Sequence, residues 1–161
     1  MINNKLAIAM VAQADAETYS ALLYECMSNF ARYRHFPGIA HFFHQHAKEE
    51  RHHAKRFIRH LLERDFLPVL AAVPQPLQDF NSILDLFESA YKHEQEITER
   101  INHLDEISDT SHDYGSRLLM HEISEEQVKE EALFLELLTQ FRLVKNDGAG
   151  LLDMDKKLSK I

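Results

Sequence analysis

Glu17, Glu50, His53, Glu94, Gln127 and Glu130 share a spacing that ordinary helical packing does not require. Glu50 stands 33 positions after Glu17, and Gln127 stands 33 positions after Glu94. Three residues further on come His53 in the first half and Glu130 in the second, so the halves repeat with an offset of 77. Residues at i and i+3 of a helix lie roughly 5 to 6 Å apart on one face and can clamp an ion between them. Around the second of these positions the apolar stripe reads Phe43, Ala47, Glu50, Ala54, Phe57 and Leu61, with His53 beside it. A carboxylate in an apolar interior costs several kcal/mol unless it is paired or bound to a cation. Four helices interrupted in this way need a common cause. One Glu from each of two helices, with a Glu-x-x-His type pair from each of two others, is how a bundle holds two metal ions. The same residues could instead form a salt-bridged polar layer that sets helix register. Oxygen donors with one imidazole and no thiolate favour iron or manganese among redox metals, and zinc is compatible.

The elements that must position these groups are marked by breakers. All four prolines and all four glycines fall at Pro37 and Gly38; at Pro68, Pro74 and Pro76; at Gly115; and at Gly148 and Gly150. Helices are predicted over 4–34, 39–66, 81–109 and 114–145, with a short fifth at 148–159; the first four far exceed the average of ~11 residues. Asn3 or Asn4 can cap the first, Ser82 and Asp85 have capping-box spacing at the third, and Gly148 stands where the fourth would stop. The other inward stripes read Leu6, Met10, Glu17, Ala21, Tyr24; then Ile83, Phe87, Ala90, Glu94, Ile97, Ile101; then Ile123, Gln127, Glu130, Phe134, Leu137, Phe141. No alternating β pattern competes. Four such helices pack side by side. Short connections make the first and second, and the third and fourth, antiparallel neighbours. The stretch 67–80 is long enough to run the length of the bundle and makes the second and third parallel. The expectation is all-α: one domain over 1–161, a four-helix bundle with a long crossover and a short fifth helix.

With 161 residues, 45% hydrophobic and 27% charged, the chain has the composition of a globular domain. A formal net charge of −8 disfavours nucleic acid as a partner and suits a protein that collects cations. Cys26, the lone cysteine, cannot form an internal disulfide; this fits a reducing, cytoplasmic setting, and it reads as a packing residue. Leu6 to Ala12 is apolar and follows Lys5, but the helical spacing continues through any cleavage point, so a helix rather than a leader is expected. No stretch approaches the ~20 apolar residues needed to span a bilayer, so no membrane partner is expected.

The words around these residues resemble the bacterial non-haem ferritins along essentially the whole length: AETYSALLY, FFHQHAKEERHHAKRF, LFESAYKHEQEIT, SEEQVKEEALF and DGAGLLDMDKKL, in that order. The resemblance implies a hollow 24-subunit shell that oxidises Fe(II) with dioxygen or hydrogen peroxide at an intra-subunit di-iron centre and stores ferric oxyhydroxide inside. Carried over, one iron binds Glu17, Glu50 and His53, and the second binds Glu50, Glu94 and Glu130, with Glu50 bridging. Gln127 orients a ligand or water. Tyr24 lies beside the site as an electron or hydrogen-bond donor; an ordinary core tyrosine with a satisfied hydroxyl is the alternative.

The resemblance also implies a third iron site on the cavity side. Glu49, Glu126 and Glu130 are present for it, but position 129 carries Lys129, which should weaken it. Gln127 with Glu130, His at position 52 and no methionine on the second helix argue against haem. His41, His44, His52 and His60, with Lys48, Lys55, Arg56 and Arg59, read as a solvated outer face, and His93 as either an outer-shell partner or exposed. The mini-ferritins that bind DNA place their metals between subunits, unlike the complete set here. Leu151, Leu152, Met154, Leu158 and Ile161 give the fifth helix an apolar side that suggests an interface, near a fourfold axis by resemblance. Iron would pass threefold pores, with Asp109, Asp113 and Glu122 as candidates, each equally suited to capping or solvation. A non-storage di-iron oxidoreductase of peroxidase type is the alternative function, although no Cys-x-x-Cys electron-transfer segment is present. A metal-free helical scaffold is the third possibility.

Overall fold

A computed structural model describes residues 1–161. It contains α1 (Asn4–Tyr33), α2 (Pro37–Glu63), α3 (Ile83–Thr110), α4 (Tyr114–Val144) and α5 (Gly148–Leu158), with no strand. The family of caps explains four of the five starts. Asn3 accepts from the amides of Lys5 and Leu6, Ser82 from Asp85, Asp113 from Ser116 and Asp147 from Gly150. α2 has no such cap. Pro37 begins it, and the Asp155 carboxylate of α5 accepts the Ile39 amide at 2.8 Å instead.

Two expectations at the helix ends are corrected. The left-handed residue that stops α4 is Lys145, with a φ of 48°, and not Gly148, which opens α5 where the short fifth helix was expected to begin. Gly38 is no breaker. It sits inside α2 because a Cβ there would meet the Asp155 carbonyl oxygen at 1.8 Å, so only glycine lets α5 approach.

α1 packs along α2, and α3 along α4; α1 also meets α3, while α5 rests mainly on α2. The crossover runs from one end of the bundle to the other. Phe66 packs on the cluster around Leu6, Phe57 and Ile101, whereas Phe80 belongs to the opposite cluster and meets Phe30 edge-on at 5.3 Å. Between them, the Ala71 amide donates to Asp15 on α1. α2 and α3 are therefore parallel, as the stretch's length demanded.

The core is divided. One cluster of 20 buried residues centres on Tyr24, Phe42, Phe43, Phe87, Phe134 and Phe141, and another of 13 on Leu6, Met10, Phe57, Ile101 and Met120. The gap falls between Ala14 and Leu23, Ala47 and Phe57, Ala90 and Ile97, and Ile123 and Phe134 on the four helices. α5 contributes Met154 and Leu158 to the first cluster, leaving Leu152 and Ile161 exposed, so most of its apolar side serves the bundle and not an outer surface. No helix is long and apolar enough to cross a membrane.

Candidate metal centre

The gap in the core is filled by polar groups from all four helices. Glu17 on α1, Glu50 on α2, Glu94 on α3 and Gln127 on α4 are buried, and His53 and Glu130 are partly so. Glu17, Glu50 and His53 offer ligand atoms that all lie within 4.8 Å of one another. His53 Nδ1 stands 3.4 Å from Glu50 Oε2. Glu17 Oε2 is buried with no hydrogen-bond partner. A buried oxygen left unmatched costs about 1 to 3 kcal/mol, and a cation held with Glu50 and His53 would satisfy it.

Electrostatics agree. Burial, with the neighbouring Glu50, holds the Glu17 carboxyl well above the usual range, and burial with Glu94 does the same to Glu50. Burial pushes Glu94 up to about 7, against the hydrogen bonds it receives from Tyr24 and Gln127. Like charges crowded in a dry layer raise one another's pKa values. A divalent ion removes that repulsion.

Glu94 is the best-supported of these groups. The Tyr24 phenol donates to its Oε1, and Gln127 Nε2 donates to its Oε2 at 2.7 Å and to its backbone carbonyl at 3.3 Å. Tyr24 is itself fully buried, stacked on Phe134 at 5.7 Å and edge-on to His46 and His93. Its hydroxyl is thus a hydrogen-bond donor beside the centre.

Of the residues read for a third site, Glu49 and Glu130 lie close together and Glu126 is turned away from them. Glu126 pairs with Arg56, approaches His53 Nε2 at 3.4 Å, and shares Arg56 with Glu122 at 3.0 Å. Lys129 points to solvent and pairs with Glu125 at 2.8 Å. Glu49 and Glu130 instead converge on His46, which the sequence reading passed over: His46 Nε2 is 3.3 Å from Glu130 and 3.9 Å from Glu49. Burial opposes a charge on His46, but Glu130 outweighs it and raises its pKa. The signal available was its place one turn before Glu50 on the same face.

Several outer-face expectations are corrected. Arg56, its side chain only 12% exposed, and His60, 2.9 Å from Ser116, reach across to α4, whereas His44 keeps to the outer face with its side chain 45% exposed, 3.3 Å from Glu25. Lys48, His52, Lys55 and Arg59 are exposed as expected. His93 is buried, bonded to Ser20 at 2.7 Å, with a pKa lowered by burial to about 4. Among the pore candidates, Asp113 is the α4 cap and forms a two-pronged pair with Arg64 at 2.8 Å, Asp109 pairs with Arg117 at 3.1 Å, and Glu122 with Arg56. The seam between α2 and α4 is consequently crossed by long polar side chains.

Comparison with known proteins fits this arrangement. The Ferritin family, described as a ferritin-like domain, matches residues 9–144. The bacterial non-heme ferritin of Escherichia coli O6:H1 is 35% identical over 161 residues, which is 100% of this chain and 98% of that protein. The bacterial non-heme ferritin of Campylobacter jejuni is 37% identical over 161 residues, 100% of this chain and 96% of that one. The open pore ferritin of the archaeon Archaeoglobus fulgidus superposes with a TM-score of 0.96 at 33% identity, covering 99% of this chain and 98% of that chain.

Proposed function

The chain belongs to the ferritin family, whose work is iron storage, and from that premise we propose that it is a ferroxidase that oxidises Fe(II) before storing it as ferric oxyhydroxide within a 24-subunit cytoplasmic shell. Fe(II) is the substrate and cargo. The observation that carries this reading is the convergence of Glu17, Glu50 and His53 within 4.8 Å, in a polar layer bounded by apolar core on both sides.

In this reading, Glu17, Glu50 and His53 hold one Fe(II), and Glu50, Glu94 and Glu130 hold the second, Glu50 being common to both. Each Fe(II) gives one electron to a single dioxygen, which takes up two protons and leaves as hydrogen peroxide. With hydrogen peroxide as the oxidant, the same two electrons and two protons yield water. The chain's part is to set the two ions near each other and exclude bulk water. Tyr24 and Gln127 fix the Glu94 carboxylate through its two oxygens, so its orientation does not depend on the ions. Glu130 also stands 3.3 Å from His46, so the imidazole and the second ion share its carboxylate. The third site falls to Glu49, Glu126 and Glu130, and Arg56 limits it by holding Glu126.

Assembly has its own support. Leu67, Val69, Leu70, Val73 and Leu77 stand exposed along the crossover, and an apolar row of that length on a charged protein is suited to burial against other copies. The deciding experiment adds Fe(II) aerobically to purified protein, follows the ferric absorbance, and sizes the product. A large hollow particle with a dense core is expected. A monomer or dimer that turns over without accumulating iron would replace storage by a non-storage oxidoreductase.

A further inference from the structure

Gln13 lies one turn before Glu17 on α1 and is 2% exposed, yet nothing in the spacing of the six polar residues calls for it. Its amide nitrogen donates to Glu17 Oε1 at 2.7 Å. Its amide oxygen accepts from Arg100 Nε of α3 at 3.3 Å, and Arg100 Nη2 is anchored on the Ala12 carbonyl at 2.9 Å. A guanidinium has donors only. Arg100 can therefore face only the oxygen end of the amide, which turns the NH2 end toward Glu17. One oxygen of Glu17 is occupied by that contact, and the other, Oε2, is buried without a partner.

We propose that Gln13, its amide orientation set by Arg100, is a positioning residue that ties up Oε1 of Glu17 and leaves Oε2 as the single oxygen offered to the ion shared with Glu50 and His53. The inference rests on the di-metal reading above and adds the number of oxygens that Glu17 supplies. An amide is suited to this task because it donates strongly without carrying a charge that would repel the ion. A second oxygen from Glu17 would enlarge the coordination sphere toward the oxygen-rich, two-pronged geometry that Ca(II) prefers. Holding it back favours smaller ions that accept a nitrogen ligand.

The test is an anaerobic titration of the metal-free, full-length protein with Co(II), read by visible absorption, whose intensity per ion falls as coordination number rises. Gln13→Leu and Arg100→Met are expected to bind the first Co(II) with weaker absorption and 10- to 100-fold lower affinity, the usual cost of losing an outer partner of a ligand. Arg100→Lys retains a donor for the Gln13 oxygen and is expected to restore the unmodified spectrum. If Gln13→Leu does not fold, as judged by its helical circular dichroism, Arg100→Met decides alone, since Arg100 is exposed. Spectra and affinities of both variants equal to those of the unmodified protein overturn the proposal. An unmodified protein that takes up no Co(II), or does so equally well as Glu50→Gln, overturns the di-metal reading and this proposal with it.

Discussion

The His46 imidazole and the Glu130 carboxylate lie 3.3 Å apart, and neither His46 Nε2 nor Glu130 Oε2 makes a hydrogen bond, although both atoms are buried. Their attraction is electrostatic and competes with any ion that needs Glu130. Removing the imidazole leaves Glu130 free, and more costly to bury unmatched. His46→Leu is therefore expected to tighten binding of the second ion by about tenfold, equivalent to the ~1.4 kcal/mol of a partly buried pair. Calorimetric titration with Zn(II) measures this directly. Weaker binding in the variant would make His46 a ligand.

Proton linkage gives the metal-free protein an unusual pH dependence. The folded pKa of Glu94 is about 7, against an ordinary 4.5, and those of Glu17 and Glu50 are also raised. A raised carboxyl contributes stability that is complete below the unfolded pKa and is lost as pH rises through the folded value. His46, also raised, acts in the same sense. His93, lowered to about 4, acts in the opposite sense, adding stability above 6.5 that is lost as pH falls toward 4. Three carboxyls and His46 outweigh one imidazole. The metal-free protein is expected to lose several °C in Tm between pH 5 and pH 8, at ~2–4 °C per kcal/mol. Glu94→Gln should flatten that slope, and saturating Zn(II) should reverse it; a Tm that rises with pH in the metal-free protein would contradict the assignment.

The bundle was legible because helical period and breakers agree over long segments, and the polar layer because each of its members interrupts an apolar stripe at a repeated spacing. Glu17, Glu50, Glu94 and Gln127 needed no knowledge of neighbours to stand out. Gln13, His46 and Arg56 did, since each takes its meaning from a partner on another helix: Arg100, Glu130 and Glu126. A polar residue beside a stripe reads the same whether it meets water or the next helix. Gly38 was read as punctuation, because a close approach by α5 leaves no mark on the local pattern.

Gly38→Ala separates these two meanings of glycine. In an ordinary helix the change stabilises by about 0.5 to 1 kcal/mol. Here the new methyl would lie 1.8 Å from the Asp155 carbonyl, which is backbone and cannot swing aside. Displacing α5 also breaks the 2.8 Å bond from the Ile39 amide to Asp155, the only cap α2 has. A net loss of about 2 kcal/mol is expected from overpacking and the lost cap. Thermal denaturation, with proteolysis at the 145–148 turn, checks both the size and the place of the effect. An alanine variant as stable as the parent, with α5 still protected, would show that the approach is not required.

In the proposed third site, control of the ion would divide between Lys129 and Arg56. Lys129 was the expected obstacle, but it is exposed and satisfied by Glu125 at 2.8 Å, and solvent screens its effect on the site. Arg56 is 12% exposed and engages both Glu126 and Glu122, so its hold on Glu126 is only weakly screened. Arg56→Gln removes the charge that fixes Glu126 and should raise occupancy of a third ion severalfold in anaerobic Fe(II) titrations. Lys129→Glu alone should raise it by less than twofold, the scale of a solvent-screened surface charge. Glu122→Gln should leave occupancy low, because Arg56 then has Glu126 as its sole carboxylate. The reverse ranking, with Lys129→Glu restoring the ion and Arg56→Gln without effect, would return control to the surface charge and leave the Arg56–Glu126 pair a purely structural tie between α2 and α4.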